Sequence, residues 1–178
     1  PWPETYTGSL SVDFSKIRVV KGDFNARFGQ GLALWSGAFM TSLNTPDAFM
    51  KKPSGISGTW SFTGSSALTG VAAETTAGRL KITAMMAVPG VKDMKRHPEK
   101  VTLLPAANLT YLTRYGHASM TYAGSKVSID EAFCIRGVNL FSEAAYDFAE
   151  RRMAAVCGTQ FNVSEKLRLA SLARYCPG

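Results

Sequence analysis

Residues 23–35 read Asp-Phe-Asn-Ala-Arg-Phe-Gly-Gln-Gly-Leu-Ala-Leu-Trp. Phe24, Ala26, Phe28, Gln30, Leu32 and Leu34 fall on one parity, and Asp23, Asn25, Arg27, Gly29, Gly31, Ala33 and Trp35 on the other. Successive side chains of an extended backbone point to opposite faces, so an apolar row against a polar or small row predicts a strand between two unlike surroundings. A run of thirteen residues is long beside the roughly 5 or 6 usual for a soluble strand.

The same alternation returns elsewhere. Leu80, Ile82, Ala84, Met86 and Val88 alternate with Lys81, Thr83, Met85 and Ala87, and Leu68 to Thr75 precedes them across Thr76-Ala77-Gly78. Gly supplies the positive φ of a tight hairpin, so these two runs are expected to pair antiparallel. A second hairpin is written in Asn108 to Tyr122 around Gly116-His117, with Leu109, Tyr111, Thr113 and Tyr115 outgoing and Ala118, Met120 and Tyr122 returning. Asn139 to Phe148, Met153 to Phe161 and Leu167 to Tyr175 complete the set, with turns at Ala149 to Arg152 and Asn162 to Lys166. Asn139 to Cys157 also reads as a helix, capped by Asn139 or Ser142 and ended by Gly158, with Phe141, Ala145, Phe148 and Val156 near helical spacing. The two readings are nearly balanced; the regular passes on either side favour strands.

Eight or nine extended segments in up-and-down order, short turns on one side and longer loops such as Ser36 to Ser54 and Val91 to Lys100 on the other, form the pattern of an outer-membrane β-barrel. Trp35, Trp60, Tyr115, Tyr122, Tyr146 and Tyr175 lie near segment ends, where interfacial girdles stand. The expected fold is all-β, an antiparallel up-and-down meander forming part of a transmembrane β-barrel over residues 16–178, after a leading segment or incoming loop at 1–15. A soluble meander or half-open sandwich shares much of this pattern. On the barrel reading Phe24, Phe28, Leu32 and Leu34 face lipid, and Asp23, Asn25 and Arg27 face the lumen. Arg168 and Arg174, opposite in parity to Leu167 and Leu169, are placed in the lumen too. The reason is that a charge on the lipid face near the midplane costs roughly 2 to 4 kcal/mol. A lumen rich in Arg and Lys favours anions.

Composition narrows the rest. Hydrophobic residues make up 46% of the 178, which excludes a disordered polar chain, and a net charge of +7 favours anionic partners. No run approaches the roughly 18 apolar residues of a spanning helix. The basic loop with Lys92, Lys95, Arg96 and Lys100 has no interleaved aromatics, so it offers no stacking platform for nucleic acid. The opening Pro1-Trp2-Pro3-Glu4 leads to the expectation of a piece of a longer polypeptide. Cys134, Cys157 and Cys176 lack zinc or redox spacing and are expected to be small packing residues. Gly29-Gln30-Gly31 invites comparison with a phosphate-cradling loop, but inside an alternating run it is expected to be close-packed strand. His97 and His117 have no partner at metal spacing, and Ser119, His117 and Asp130 assemble into a triad only on paper. Glu74, Asp130, Glu131, Glu143 and Asp147 are expected to face a watery lumen or to balance Arg27, Arg136 and Arg174. No catalytic residue, cofactor or metal is expected, and the chain is not read as an enzyme.

GDFNARFGQGLALWSG, from Gly22 to Gly37, resembles a strand of the Gram-negative outer-membrane β-barrel proteins that carry helix-hairpin-helix repeats ahead of the barrel. Gly70-Val71-Ala72 and the stretch Gly137 to Ala145, GVNLFSEAA, are similar to further segments of that family. The resemblance covers most of Lys16 to Tyr175 and implies a location in the outer membrane and a barrel larger than this chain closes alone. It implies a structural, pore, uptake or assembly role, with lipid and the remaining strands as partners and anionic ligands as candidates. Two features depart from the family. No helix-hairpin-helix sequence is present, so its suggested DNA binding has no residues here to rest on, and Cys176-Pro177-Gly178 lacks the terminal aromatic of a completed barrel. The alternative reading is a soluble, secreted β-rich module that binds anionic glycans or nucleic acid through a basic face.

Overall fold

The computed structural model describes residues 8–37, 50–59, 67–89, 102–163 and 167–176. Its strands are β1 (Ser9–Phe14), β2 (Ile17–Arg27), β3 (Gly55–Gly58), β4 (Leu68–Ala77), β5 (Leu80–Pro89), β6 (Leu104–Leu112), β7 (Gly116–Ala123), β8 (Lys126–Ile135), β9 (Val138–Asp147), β10 (Arg152–Asn162) and β11 (Arg168–Tyr175). They form one antiparallel up-and-down sheet in the order β1-β2-β4-β5-β6-β7-β8-β9-β10-β11, with β3 paired to β2 off that path. Among the described residues β1 and β11 do not pair with each other. The expected all-β meander is therefore present, with eleven strands among the described residues where the sequence predicts eight or nine extended segments. β1 falls within the expected leading segment, and β8 within a stretch whose adjacent Asp130 and Glu131 interrupt a simple alternation.

The stretch from Asn139 to Cys157 forms strands, not a helix. Every residue of β9 pairs with β8 on one side and β10 on the other, and this double ladder outweighs the helix propensity of Ala144, Ala145, Ala154 and Ala155. The β9–β10 turn is closed by Arg151 at φ 54°. Gly116 opens β7 rather than making the turn before it. The backbone amide of Gly116 donates to Thr113 Oγ1 at 3.0 Å, so the reversal sits at residues 113–115. A Cβ on Gly116 would lie 1.9 Å from the Ala132 carbonyl oxygen, so close approach to the neighbouring strand is what requires glycine there.

Register sorts the side chains into two faces. Ile82, Leu109, Met120, Ile129, Ala144, Ala155 and Tyr175 form one cross-strand row. Lys81, Thr110, Ser119, Asp130, Glu143, Val156 and Arg174 form a row of the opposite parity. Ile129 is 65% and Met120 50% exposed, whereas Asp130 and Glu143 are 2% and 1% exposed. Thr83, Asn108, Thr121 and Ser128, also on the Asp130 side, are buried as well. Along these rows the sheet is thus apolar where it is open and largely polar where it is covered.

The alternating stretch from Asp23 to Trp35 is not a single strand. β2 ends at Arg27, and Gly29 and Gly31 take φ of 54° and 84°. Beyond the Phe24↔Leu68 pair β2 leaves β4 and gains two new neighbours. β3 pairs with Phe24 to Arg27. On the other edge the chain returns, with the Ser36 amide donating to the Ala26 carbonyl at 2.8 Å and the Phe28 amide to the Leu34 carbonyl at 3.3 Å. This small layer lies on the covered side, and Phe24, Ala26, Phe28, Leu34 and Ile56 pack with Val20, Leu68, Ala72, Met85, Ala87, Ala106 and Ala123. The expectation that Phe24, Phe28 and Leu34 form an outward row therefore does not hold: all three are buried within the chain. Phe24 shares the side of Val20, while Asp23 shares the parity of Lys21 and Val71. Removing a large apolar side chain from water is worth about 1.5–3 kcal/mol, so the aromatic row goes to the Ala- and Met-lined part of the interior.

Candidate functional site: the polar interior and the loop that enters it

Asp130 on β8 and Glu143 on β9 stand directly opposite each other, both on the covered face. Like charges opposite one another destabilise a sheet, and a buried carboxylate is costly unless donors surround it. Each has its own set. Ser119 on β7 donates its hydroxyl to Asp130 Oδ1, and His117 Nε2 lies 3.3 Å from Asp130 Oδ2. Glu143 Oε2 accepts the backbone amides of Gln30 at 2.6 Å and Leu32 at 3.1 Å, and its Oε1 accepts that of Ala33 at 3.4 Å. Three amides from one short loop thus converge on a carboxylate more than a hundred residues away in the chain.

Gly29-Gln30-Gly31 supplies the geometry. Its two glycines hold positive φ, and a Cβ on Gly29 would stand 2.9 Å from Glu143 Cδ and 3.0 Å from Asp130 Oδ1. Successive amides turned to one side make an anion-binding concavity, here filled by the protein's own side chain. The expectation of close-packed strand at this tripeptide is corrected: the glycines do serve close approach, but in a turn. Gln30 locks the loop to residue 51, its Nε2 donating to the Lys51 carbonyl at 3.1 Å and its Oε1 accepting the Lys51 amide at 2.9 Å. The Lys51 ammonium lies 4.9 Å from the Trp35 ring centre and the Arg27 guanidinium 5.8 Å from it. Burial pulls the Lys51 amine below the usual lysine value, against the attraction of Glu143.

The polar rows continue away from the loop. Asn108 Nδ2 donates to Thr121 Oγ1 at 2.9 Å, and its Oδ1 accepts the Thr110 hydroxyl at 2.7 Å. Lys81 Nζ pairs with Glu74 at 3.0 Å.

Ser119, His117 and Asp130 do meet, but their wiring differs from that of a nucleophilic triad. There a serine hydroxyl gives its proton to a histidine that the carboxylate orients; here Asp130 itself accepts from Ser119. Among the described residues no three His, Cys, Asp or Glu side chains are grouped to hold a metal ion.

The other sequence candidates are dispersed. Asp23 is buried and binds the Gly8 amide at 2.9 Å and the Thr69 hydroxyl. Asn25 and Arg27 are half-buried beside the returning chain, where Arg27 Nε donates to the Ser36 carbonyl at 3.3 Å. Arg174 lies on the Glu143 row, and the backbone of Arg168 pairs with Asn162. Leu32 is half-buried in the loop. Trp35, expected at a girdle, stands instead beside Lys51. Cys134, Cys157 and Cys176 are exposed rather than packed. Lys92, Lys95, Arg96 and Lys100, with Trp60 and His97, lie outside the described residues. Glu143 is the site residue that strand periodicity does not single out; the paired glycines of the loop are the signal that an acceptor is near. The chain matches no family model, no curated protein and no solved structure.

Proposed function

We propose that the chain is a section of the wall of an outer-membrane β-barrel, with its open face in lipid and its covered polar face toward a lumen that residues 28–37 enter and narrow. The inversion of the two faces carries this reading. Water would favour Asp130, Glu143, Asn108 and Thr121 outside and Ile129, Met120, Leu109 and Ile82 inside, yet the burial is the reverse. Exposed apolar area costs about 25 cal/mol per Å² in water, and a surface of this kind marks contact with lipid or protein.

Other features support it. β4 to β10 run from 8 to 11 residues, close to the roughly 9–11 of a tilted transmembrane strand. Tyr122, Val127 and Tyr146 share one cross-strand level, and Phe148 packs edge-on against Tyr146 at 5.1 Å. These aromatics form the interfacial belt on that reading. On this reading the outer edges of β1 and β11 require backbone partners in lipid. The role on this reading is structural and pore-forming.

Solubility tests the proposal. The full chain is expected to acquire its strand content as a dispersed species only with detergent or lipid. A monodisperse, fully folded monomer in plain buffer would overturn it.

A further inference from the structure

Two mid-strand charges stand on the open face, and they are opposite in sign. Lys21 of β2 pairs between Leu10 and Val71, both exposed and apolar. Glu131 of β8 pairs between Ala118 and Ser142. Both are exposed, and among the described strand interiors no other charged side chain of that parity is exposed. A charge facing lipid in a strand interior is unfavourable, and ionisable groups in such places mark function or contact. The long side chain of Lys21 can reach toward an interface; the shorter Glu131 cannot do so as far, and it accepts the Ser142 hydroxyl at 3.2 Å.

Glu131 also borders a depression. Ala144, Ala155, Cys157 and Ala173 form a floor of small side chains between Ile129 and Tyr175, and the notch measures about 600 Å³. A notch floored by small side chains and flanked by Ile129 and Tyr175 has room for a protruding residue. Leu10, 63% exposed and directly across from Lys21, is such a residue.

We propose that the open face of β8 to β11 docks a second copy of this chain, whose Lys21 pairs with Glu131 while Leu10 enters the notch. The contact is head-to-tail, since one copy offers β1 and β2 and the other β8 to β11; such contacts build rings or open chains. The inference rests on the membrane-wall reading, since only there do two charges on this face need each other. Small residues at a contact inside a bilayer allow backbones to approach closely, and polar groups add to the attraction.

The test uses the full chain in lipid vesicles and in detergent micelles. Lys21→Glu and Glu131→Lys chains are each expected to lose association by roughly tenfold, because each alone sets like charges together. Mixing the two chains restores both pairings and is expected to restore association. Ala155→Phe, which fills the notch and leaves both charges in place, is expected to weaken association without changing strand content. A carbodiimide bond between Lys21 of one copy and Glu131 of another, mapped by mass spectrometry, is the direct signature. An unaltered chain that stays monomeric, single variants that associate as before, or a mixture that fails to reassociate would overturn the proposal. Quenching by brominated lipid of a label at Met120→Cys, read in the same vesicles with the native cysteines replaced by serine, separates the two failures. Quenching without association rejects only the contact; no quenching rejects the lipid-facing wall itself.

Discussion

The covered face has a dry end and a wet end, and one stretch of chain serves both. At the dry end Phe24, Phe28 and Ile56 meet Met85, Ala87, Ala106 and Ala123. At the wet end the same stretch, a few residues on, presents three backbone amides to Glu143. Apolar wall is matched by apolar side chains, and charged wall by amides that glycine lets come near. The difference teaches that the segment from Phe24 to Gly37 is fitted to an interior of two characters rather than laid down as one more strand.

Substitutions at the two ends should separate them. Phe24→Ala removes a fully buried ring from the dry end and is expected to cost about 3–5 kcal/mol, read as a lowered midpoint of chemical unfolding in detergent. Glu143→Ala leaves the Gln30, Leu32 and Ala33 amides without their acceptor, and the expected loss is roughly 2–4 kcal/mol. Hydrogen exchange sharpens the contrast: amides 30–33 should lose protection in Glu143→Ala while those of β8 and β9 keep theirs. Equal loss across β8, β9 and the loop would mean that Glu143 holds the strands as much as it holds the loop. Gly29→Ala sets a Cβ against Glu143 at a positive φ, at a cost of about 1–3 kcal/mol, and should resemble Glu143→Ala in its exchange pattern. Asn108→Ala, beyond the loop, is expected to cost about 1 kcal/mol and to leave amides 30–33 protected.

Much of the wall is legible in the sequence. Leu80 to Val88 alternates cleanly because its two faces meet different surroundings, and Gly78 marks its turn with φ 62°. The interior is harder to read. Alternation from Asp23 to Trp35 continues past the end of β2 because residues 34–36 pair back on it, so two short antiparallel pieces imitate one long strand. Its orientation is also inverted: a row of Phe and Leu in a chain with lipid-like patterning invites an outward reading, whereas Ala72, Ala87, Ala106 and Ala123 leave room that only large apolar groups fill. Glu143 resembles any strand carboxylate in sequence, since nothing local records that a loop more than a hundred residues earlier supplies its donors.

The period of lipid contact along β8 tests the central claim most directly. Single cysteines at positions 127 to 132, in a chain whose native cysteines are replaced by serine, would carry a fluorescent label in vesicles containing brominated lipid. A wall with its open face in lipid predicts strong quenching at 127, 129 and 131 and weak quenching at 128, 130 and 132, a two-residue alternation. Uniform quenching, none at all, or the opposite parity would contradict it.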